Sequence, residues 1–431
     1  MNNKIRLLSR TSSSPSNSSR GIATVVAALV VIVIILIAGV AYFAAVPSKT
    51  VSSVMTQTST VTSGTTQVVT GPTSTVVSTS VSTSVSTATS VSTSVVSSTV
   101  TSTKTTTSIF ANPLLLYSAD AYVNESATLE QGFTASTGIP MATPVDAGSS
   151  ALAVDIAAGN PVSVFLSVSR TAVEGTALGA QFPGWAVAFA GDQMGIAYTT
   201  ASTQTAGAKA VLAAYTTAVS VNTTASWYNF FNNLTSGSVK VGISNPNADP
   251  AGYRAWLVLE LAGIAYDGGA ANEQYFVNRM LASQSNVTGA SAAALVPALE
   301  TGQINFLFIY KSYISSIGLS LVQLPGGVNL GVAAYNTFYG QATYTTTSGS
   351  TQTVNKASAI VLWLSVPKDS TDTADSVSFV IFVIQNYQTA LKNFGLLNLN
   401  PVQLYNTTGY TVPTSIVALL KTGTLVDNGA V

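Results

Sequence analysis

The sequence predicts an α/β protein of two lobes, set behind an apolar segment of membrane length and a hydroxyl-rich spacer. Three observations predict it. From Leu114 onward, short apolar strand-like runs alternate with helical segments. An uninterrupted apolar stretch of about 25 residues runs from Ile22 to Val46, enough to span a hydrocarbon core. Residues 48–108 are built almost wholly of Ser, Thr and Val.

The leader, residues 1–21, carries Lys4, Arg6, Arg10 and Arg20, and the positive-inside tendency places it in the cytoplasm with everything after Pro47 outside. The stretch 22–46 reads as a transmembrane helix or a cleavable signal, and it is long for a signal h-region. Ser19-Arg20-Gly21-Ile22-Ala23-Thr24-Val25 resembles archaeal class III, type IV pilin-like signals, in which a peptidase cuts after Gly21 and leaves the apolar helix in place. Residues 47–108 hold two charges, Lys49 and Lys104, and the repeat Val77-Ser78-Thr79-Ser80-Val81-Ser82-Thr83-Ser84-Val85. Such a tract buries too little to fold and reads as an unfolded, O-glycosylated stalk. Asn-X-Ser/Thr sequons at Asn124, Asn222, Asn233, Asn286 and Asn406 suit an extracellular glycoprotein.

Within 109–431, Leu114–Tyr117, Val162–Leu166 and Gly195–Tyr198 read as strands, and Ala127–Thr137 and Ser150–Ala158 as helices. This alternation implies largely parallel sheets, and roughly 320 residues suit two lobes. The chain has no cysteine and no histidine, which removes disulfides, thiolate metal sites and imidazole acid/base chemistry. No nucleophile constellation is visible, so no enzyme activity and no cofactor are expected. Counted along the chain, six basic and no acidic residues precede Asp120, and ten basic and sixteen acidic lie from there on. A mildly acidic folded part argues against nucleic acid.

The stretch Ser244-Asn245-Pro246-Asn247-Ala248-Asp249-Pro250-Ala251-Gly252-Tyr253-Arg254 crowds turn formers, one carboxylate and a helix start together, after a strand-like Val239–Ile243 and before an apolar helix, Arg254–Ala265. Strand, loop, helix is the edge where open α/β folds bind ligands. On local physics alone Asp249 is equally an N-cap with Pro250 in the first turn.

That stretch resembles the SNPNxDPxGYR signature of archaeal tungstate/molybdate ABC-transporter binding proteins, members of the periplasmic binding protein superfamily. Further blocks match in the same order. Asp146-Ala147-Gly148-Ser149-Ser150 resembles the family's AAGS turn, and Val164–Ser169 its DVxxSAD strand end. Gly184–Ala190 with Met194–Tyr198 looks like its first interlobe crossing. Leu299-Glu300-Thr301-Gly302 through Ile309-Tyr310-Lys311-Ser312 match its LETG and FIYKS blocks, and Leu324-Pro325 to Asn329-Leu330-Gly331 follow.

The resemblance implies a two-lobed periplasmic-binding-protein clamshell that closes on molybdate or tungstate, with lobe 1 at about 112–190 and 312–431 and lobe 2 at about 191–311. An ABC permease is the implied partner. Serine hydroxyls, here Ser149 and Ser167, and helix N-termini would hold the oxygens. Asp249 and Glu300 would approach the hexavalent metal centre, which accepts hard oxygen ligands as sulfate and phosphate centres do not. Tyr310 could reach the site through its hydroxyl. The chain departs from the pattern at Ala121, which aligns with the family's first serine, at Ser167-Val168-Ser169 in place of SAD, and at Ala251 in place of a cysteine. Asp120 adds a carboxylate at an oxyanion-binding turn, where it repels the ligand unless it points outward or pairs with a cation. A pilus-like structural protein with a ligand-free clamshell, or a sulfate or phosphate receptor, are the other readings.

Overall fold

The computed structural model describes residues 66–70, 75–79 and 113–431. The leader 1–21 and the expected membrane segment 22–46 lie outside the described residues, among which no helix is long and apolar enough to cross a membrane. The chain divides into two units, Met1–Thr107 and Ser108–Val431. In the first, Thr66–Thr70 pairs antiparallel with Thr75–Thr79, Val68 opposite Val77, where the sequence led us to expect an unfolded spacer. The β-branched Thr and Val that dominate both segments favour extended backbone.

The second unit holds two large sheets. One has seven strands in the order Leu425–Asp427, Leu397–Asn406, Trp185–Asp192, Ile360–Ser365, Val164–Ser167, Leu116–Ala119, Val145–Ala147. The other has five, Ser320–Val322, Met194–Tyr198, Phe306–Tyr310, Val241–Gly242, Asn286–Val287. The strands that feed helices are parallel to their neighbours: Leu116–Ala119 to both flanking strands, and Val241–Gly242 to Asn286–Val287 and Phe306–Tyr310. The others differ from the parallel expectation. Ile360–Ser365 and Leu397–Asn406 run antiparallel to Trp185–Asp192, and Met194–Tyr198 antiparallel to Phe306–Tyr310. Trp185–Asp192 and Met194–Tyr198, joined from one sheet to the other through Gln193 with no crossover helix, are the strands that run against their neighbours. Ile360–Ser365 and Leu397–Asn406, joined by the helix Thr373–Ala390, both oppose Trp185–Asp192.

The crossing between sheets falls at Gln193, with Asp192 the last residue of one strand and Met194 the first of the next. The return lies after Val322, later than the boundary expected at 311/312, because Lys311–Ser316 leads into Ser320–Val322, which pairs with Met194–Tyr198. The two crossings are pinned together. Gln323 Nε2 and Asn329 Nδ2 both donate to Gln193 Oε1, at 2.9 and 2.8 Å, and Met194 N donates to Asn329 O at 2.7 Å.

The helix Pro250–Tyr266 is buried from Pro250 to Ile264, all round rather than on one stripe, as befits a central core helix. Of the sequon asparagines, Asn222 is exposed, whereas Asn124 is half-buried and donates to Ser316 Oγ at 3.2 Å.

Candidate functional site

Three adjacent parallel strands of the first lobe end at one edge. Leu116–Ala119 lies between the other two, so its carboxyl end places Asp120 centrally, at the start of a tight turn, Asp120–Tyr122, that runs into the helix Val123–Thr137. On one side, Val145–Ala147 leads through Gly148 to the helix Ser149–Ala157. On the other, Val164–Ser167 ends in Val168-Ser169. Ser149 and Ser167 are both fully buried. Ser149 is the first helical residue rather than the cap, and its Oγ accepts from Val168 N at 3.1 Å, tying two strand ends together. Ser167 Oγ accepts from Ser169 N at 3.0 Å and donates to Ser169 O at 2.9 Å.

The second lobe presents a matching edge. Asn245 folds the loop after Val241–Gly242: its carbonyl accepts from Ala248 N and Asp249 N, at 3.1 and 2.9 Å, and its side chain accepts from Asn247 N at 3.1 Å. Asp249 then caps the Pro250–Tyr266 helix, Oδ1 accepting from Ala251 N at 3.0 Å. Its Oδ2 does a second task, accepting at 2.8 Å from Ala292 N in the turn after Asn286–Val287. Burial pushes the Asp249 carboxyl up, while these two N–H groups pull it down. An ionised carboxylate has about four acceptor sites. Two of those on Asp249 remain after the caps.

Tyr310 ends the strand Phe306–Tyr310, fully buried, and its hydroxyl accepts from Arg254 Nη1 at 2.7 Å. Burial keeps that phenol protonated well above its ordinary range. Arg254 is the residue that sequence reading passed over as part of an apolar helix. It is buried, its Nη2 donates to Val168 O of the first lobe at 2.6 Å, and Tyr253 OH donates to Ser169 Oγ at 3.2 Å. Burial opposes its charge, but the surrounding Tyr253, Tyr310 and Tyr122 raise its pKa above the ordinary value. Among the described residues the salt bridge is Arg170–Glu174, so Arg254 is a cation held in the interface by neutral partners. Its place at the end of the SNPNxDPxGYR block was the signal available in the sequence.

The structure thus brings Ser149, Ser167, Asp249 and Tyr310 to one interface between the lobes. Glu300 stands apart: it is exposed at the end of the short helix Val296–Glu300, near enough to help Asp120 and Glu125 raise the Tyr313 hydroxyl, an effect led by burial. Asp120 is half-buried. It faces Asp249 and the Ser291 hydroxyl of the opposite lobe; burial first and Asp249 second push its carboxyl up to about 6, with Asp146 adding. The walls meet tightly beside it. Ala151 N donates to Ala248 O at 3.2 Å, and a Cβ on Gly148 would lie 2.4 Å from Ala248 O.

Comparison with known proteins matches residues 114–396 to a family model described as a bacterial extracellular solute-binding protein. The chain belongs to that family. It is a solute-binding protein, not an enzyme, and its relatives agree. A solute-binding protein of Sulfurisphaera tokodaii is 33% identical over 321 residues, covering 74% of this chain and 84% of its own. One from Saccharolobus solfataricus is 35% identical over 317 residues, 72% of this chain and 77% of its own. The molybdate/tungstate-binding protein WtpA of Thermococcus kodakarensis is 29% identical over 173 residues, 37% of this solute-binding protein and 48% of WtpA.

Proposed function

We propose that this solute-binding protein captures molybdate or tungstate outside the cell and hands it to an ABC permease, tethered by the apolar segment 22–46 and carried on the spacer 47–108. The observation that carries the reading is convergence: Ser149 and Ser167 from one lobe, and Asp249 and Tyr310 from the other, end at facing strand edges with a buried cation, Arg254, between them. The start of the helix Ser149–Ala157 brings backbone N–H groups to this interface, which favours an anion, whereas the start of Pro250–Tyr266 is already capped by Asp249. The likeness to WtpA and the match to the SNPNxDPxGYR signature support an oxyanion of this class over an organic solute.

Titration calorimetry of the whole chain with tungstate, molybdate and sulfate tests this. Heat is expected with the first two and not with sulfate. Asp249→Asn, which keeps an acceptor for Ala251 N, is expected to weaken tungstate at least ~30-fold, the scale for removing one partner of a buried charged contact. Silence toward every oxyanion at millimolar concentration would sink the proposal and leave the pilus-like reading.

A further inference from the structure

We propose that the hairpin 343–356 is a strap that fastens the closed cleft, with Thr171 of the first lobe and Asn247 of the second as its two catches; this rests on the cleft reading above.

The hairpin pairs Thr343–Ser348 with Thr351–Lys356, Tyr344 opposite Asn355 and Thr346 opposite Thr353. Residues directly opposite each other share a face, so these four lie on one side. Asn355 is 5% exposed, the one buried residue of 343–356. A buried amide in a threonine-rich hairpin costs free energy unless it is paired, and Asn355 is paired across to the first lobe. Its Oδ1 accepts from Thr171 Oγ1 at 3.3 Å, and its Nδ2 donates to Thr346 Oγ1 at 2.8 Å. The run of bonds continues past Thr171 into the second lobe. Thr171 gives its one hydroxyl proton to Asn355, so Ser169 Oγ, 2.9 Å away, donates to Thr171, and Tyr253 OH donates to Ser169 Oγ at 3.2 Å.

The hairpin also reaches the loop that delivers Asp249. Thr347 N donates to Asn247 Oδ1 at 2.8 Å, and Asn247 N donates to Asn245 Oδ1 at 3.1 Å. Asn247 belongs to the SNPNxDPxGYR block, and holding the hairpin gives it a task that the cleft contacts do not. At the hairpin root, Thr343 N donates to Glu260 Oε2 of the same lobe at 3.1 Å. The hairpin is thus tied to the second lobe at two points and crosses to the first through Asn355. Its seam with the first lobe is suited to parting. A cavity there is lined largely by hydroxyl and amide groups, among them Ser150, Thr176, Asn247 and Thr353. Water replaces such partners at little cost, so the strap can let go without baring a dry core.

Tungstate release from the whole chain, followed in stopped flow by native tryptophan fluorescence, reads the strap out. Thr171→Val keeps the shape of the side chain and removes its hydroxyl; Thr171→Ser keeps the hydroxyl. Thr171→Val and Asn247→Ala are each expected to speed release about fivefold, the scale of one hydrogen bond, and Thr171→Ser to stay within about twofold. Both catches act through one hairpin, so the double variant is expected to stay near fivefold, where two independent contacts would multiply to about 25-fold. A second measurement needs no solute. Thr171→Cys with Asn355→Cys, in a chain that has no other cysteine, can be joined by a short bis-maleimide. Small-angle scattering is expected to show the free chain contract on cross-linking. Release unchanged in Thr171→Val, multiplied effects in the double variant, or a scattering profile unmoved by the cross-link would overturn the strap and leave the oxyanion reading intact. An unmodified chain that binds no tungstate removes the oxyanion reading, and the scattering then decides the strap.

Discussion

The two walls of the cleft are held in opposite ways. On the second lobe, the one acidic group in the wall is held from its own lobe: Asp249 accepts from Ala251 N and Ala292 N, and the loop before it is closed by Asn245. On the first lobe, acidic groups crowd the wall with few partners. Glu125 is fully buried with neither oxygen hydrogen-bonded, and Glu130 Oε1 is likewise unpaired. Asp192 is better served, by Tyr122 OH at 3.0 Å, Ser312 Oγ at 2.5 Å and Gln193 N at 2.7 Å. One wall is a preformed bracket. The other stores charge, and its protonation state is part of its structure.

That contrast gives the largest expected effect. Burial pushes Glu125 up to about 8, Glu130 to about 7 and Asp192 to about 6, with Asp192 adding to the rise at Glu125 and Asp146 to that at Glu130. Unfolded carboxyls titrate near 4, so between about pH 4 and 8 the folded chain binds more protons than the unfolded one. Stability is therefore full below about pH 4 and falls as pH rises toward about 8. Glu125 alone contributes on the order of 4 kcal/mol over that window. Thermal unfolding measured from pH 4 to 8 is expected to show a falling midpoint, and Glu125→Gln, which mimics the protonated acid, a flatter profile. A midpoint that climbs over this range would refute the account of the first wall.

The bracket wall was the part legible in the sequence. Two asparagines, two prolines and an aspartate before an apolar helix specify a capped loop by local chemistry alone, and the loop forms as read. The first wall was not legible in the same way. Asp120 looked like a repulsive intruder because the Ser291 hydroxyl that tempers its charge lies far away in sequence. Arg254 was lost inside an apolar helix because its contacts, Tyr310 and Val168, come from other strands. The mixed sheets had the same cause: strand direction is set where the chain crosses between lobes, and local alternation does not report crossings.

Removing the bracket is the next largest effect. Asp249→Ala leaves Ala251 N and Ala292 N without acceptors in a buried turn, and charged hydrogen bonds of this kind make the loss about 3 kcal/mol. Ser149→Ala, which frees a single N–H on the other wall, is expected to cost about 1 kcal/mol. Chemical denaturation compares the two. Equal losses would mean that Asp249 does not carry the second wall as described.

The smallest effect on the unfolding midpoint separates the walls most cleanly. Gly148 has φ −59°, so alanine is conformationally acceptable there, and only the approach of the other lobe forbids a side chain. In the closed arrangement its Cβ would lie 2.4 Å from Ala248 O and 2.8 Å from Asp249 Cα, both backbone atoms that cannot swing aside. Overpacking of this kind costs about 2 kcal/mol, which here falls on lobe closure rather than on either lobe. Gly148→Ala is expected to weaken tungstate roughly 30-fold while barely moving the unfolding midpoint of the free chain. Gly207 supplies the control, because its Cβ would meet Ser238 O at 2.2 Å within the second lobe. Gly207→Ala is expected to lower the midpoint directly. Should Gly148→Ala behave as Gly207→Ala does, the two walls never part, and the cleft is a fixed interface rather than one that closes on a solute.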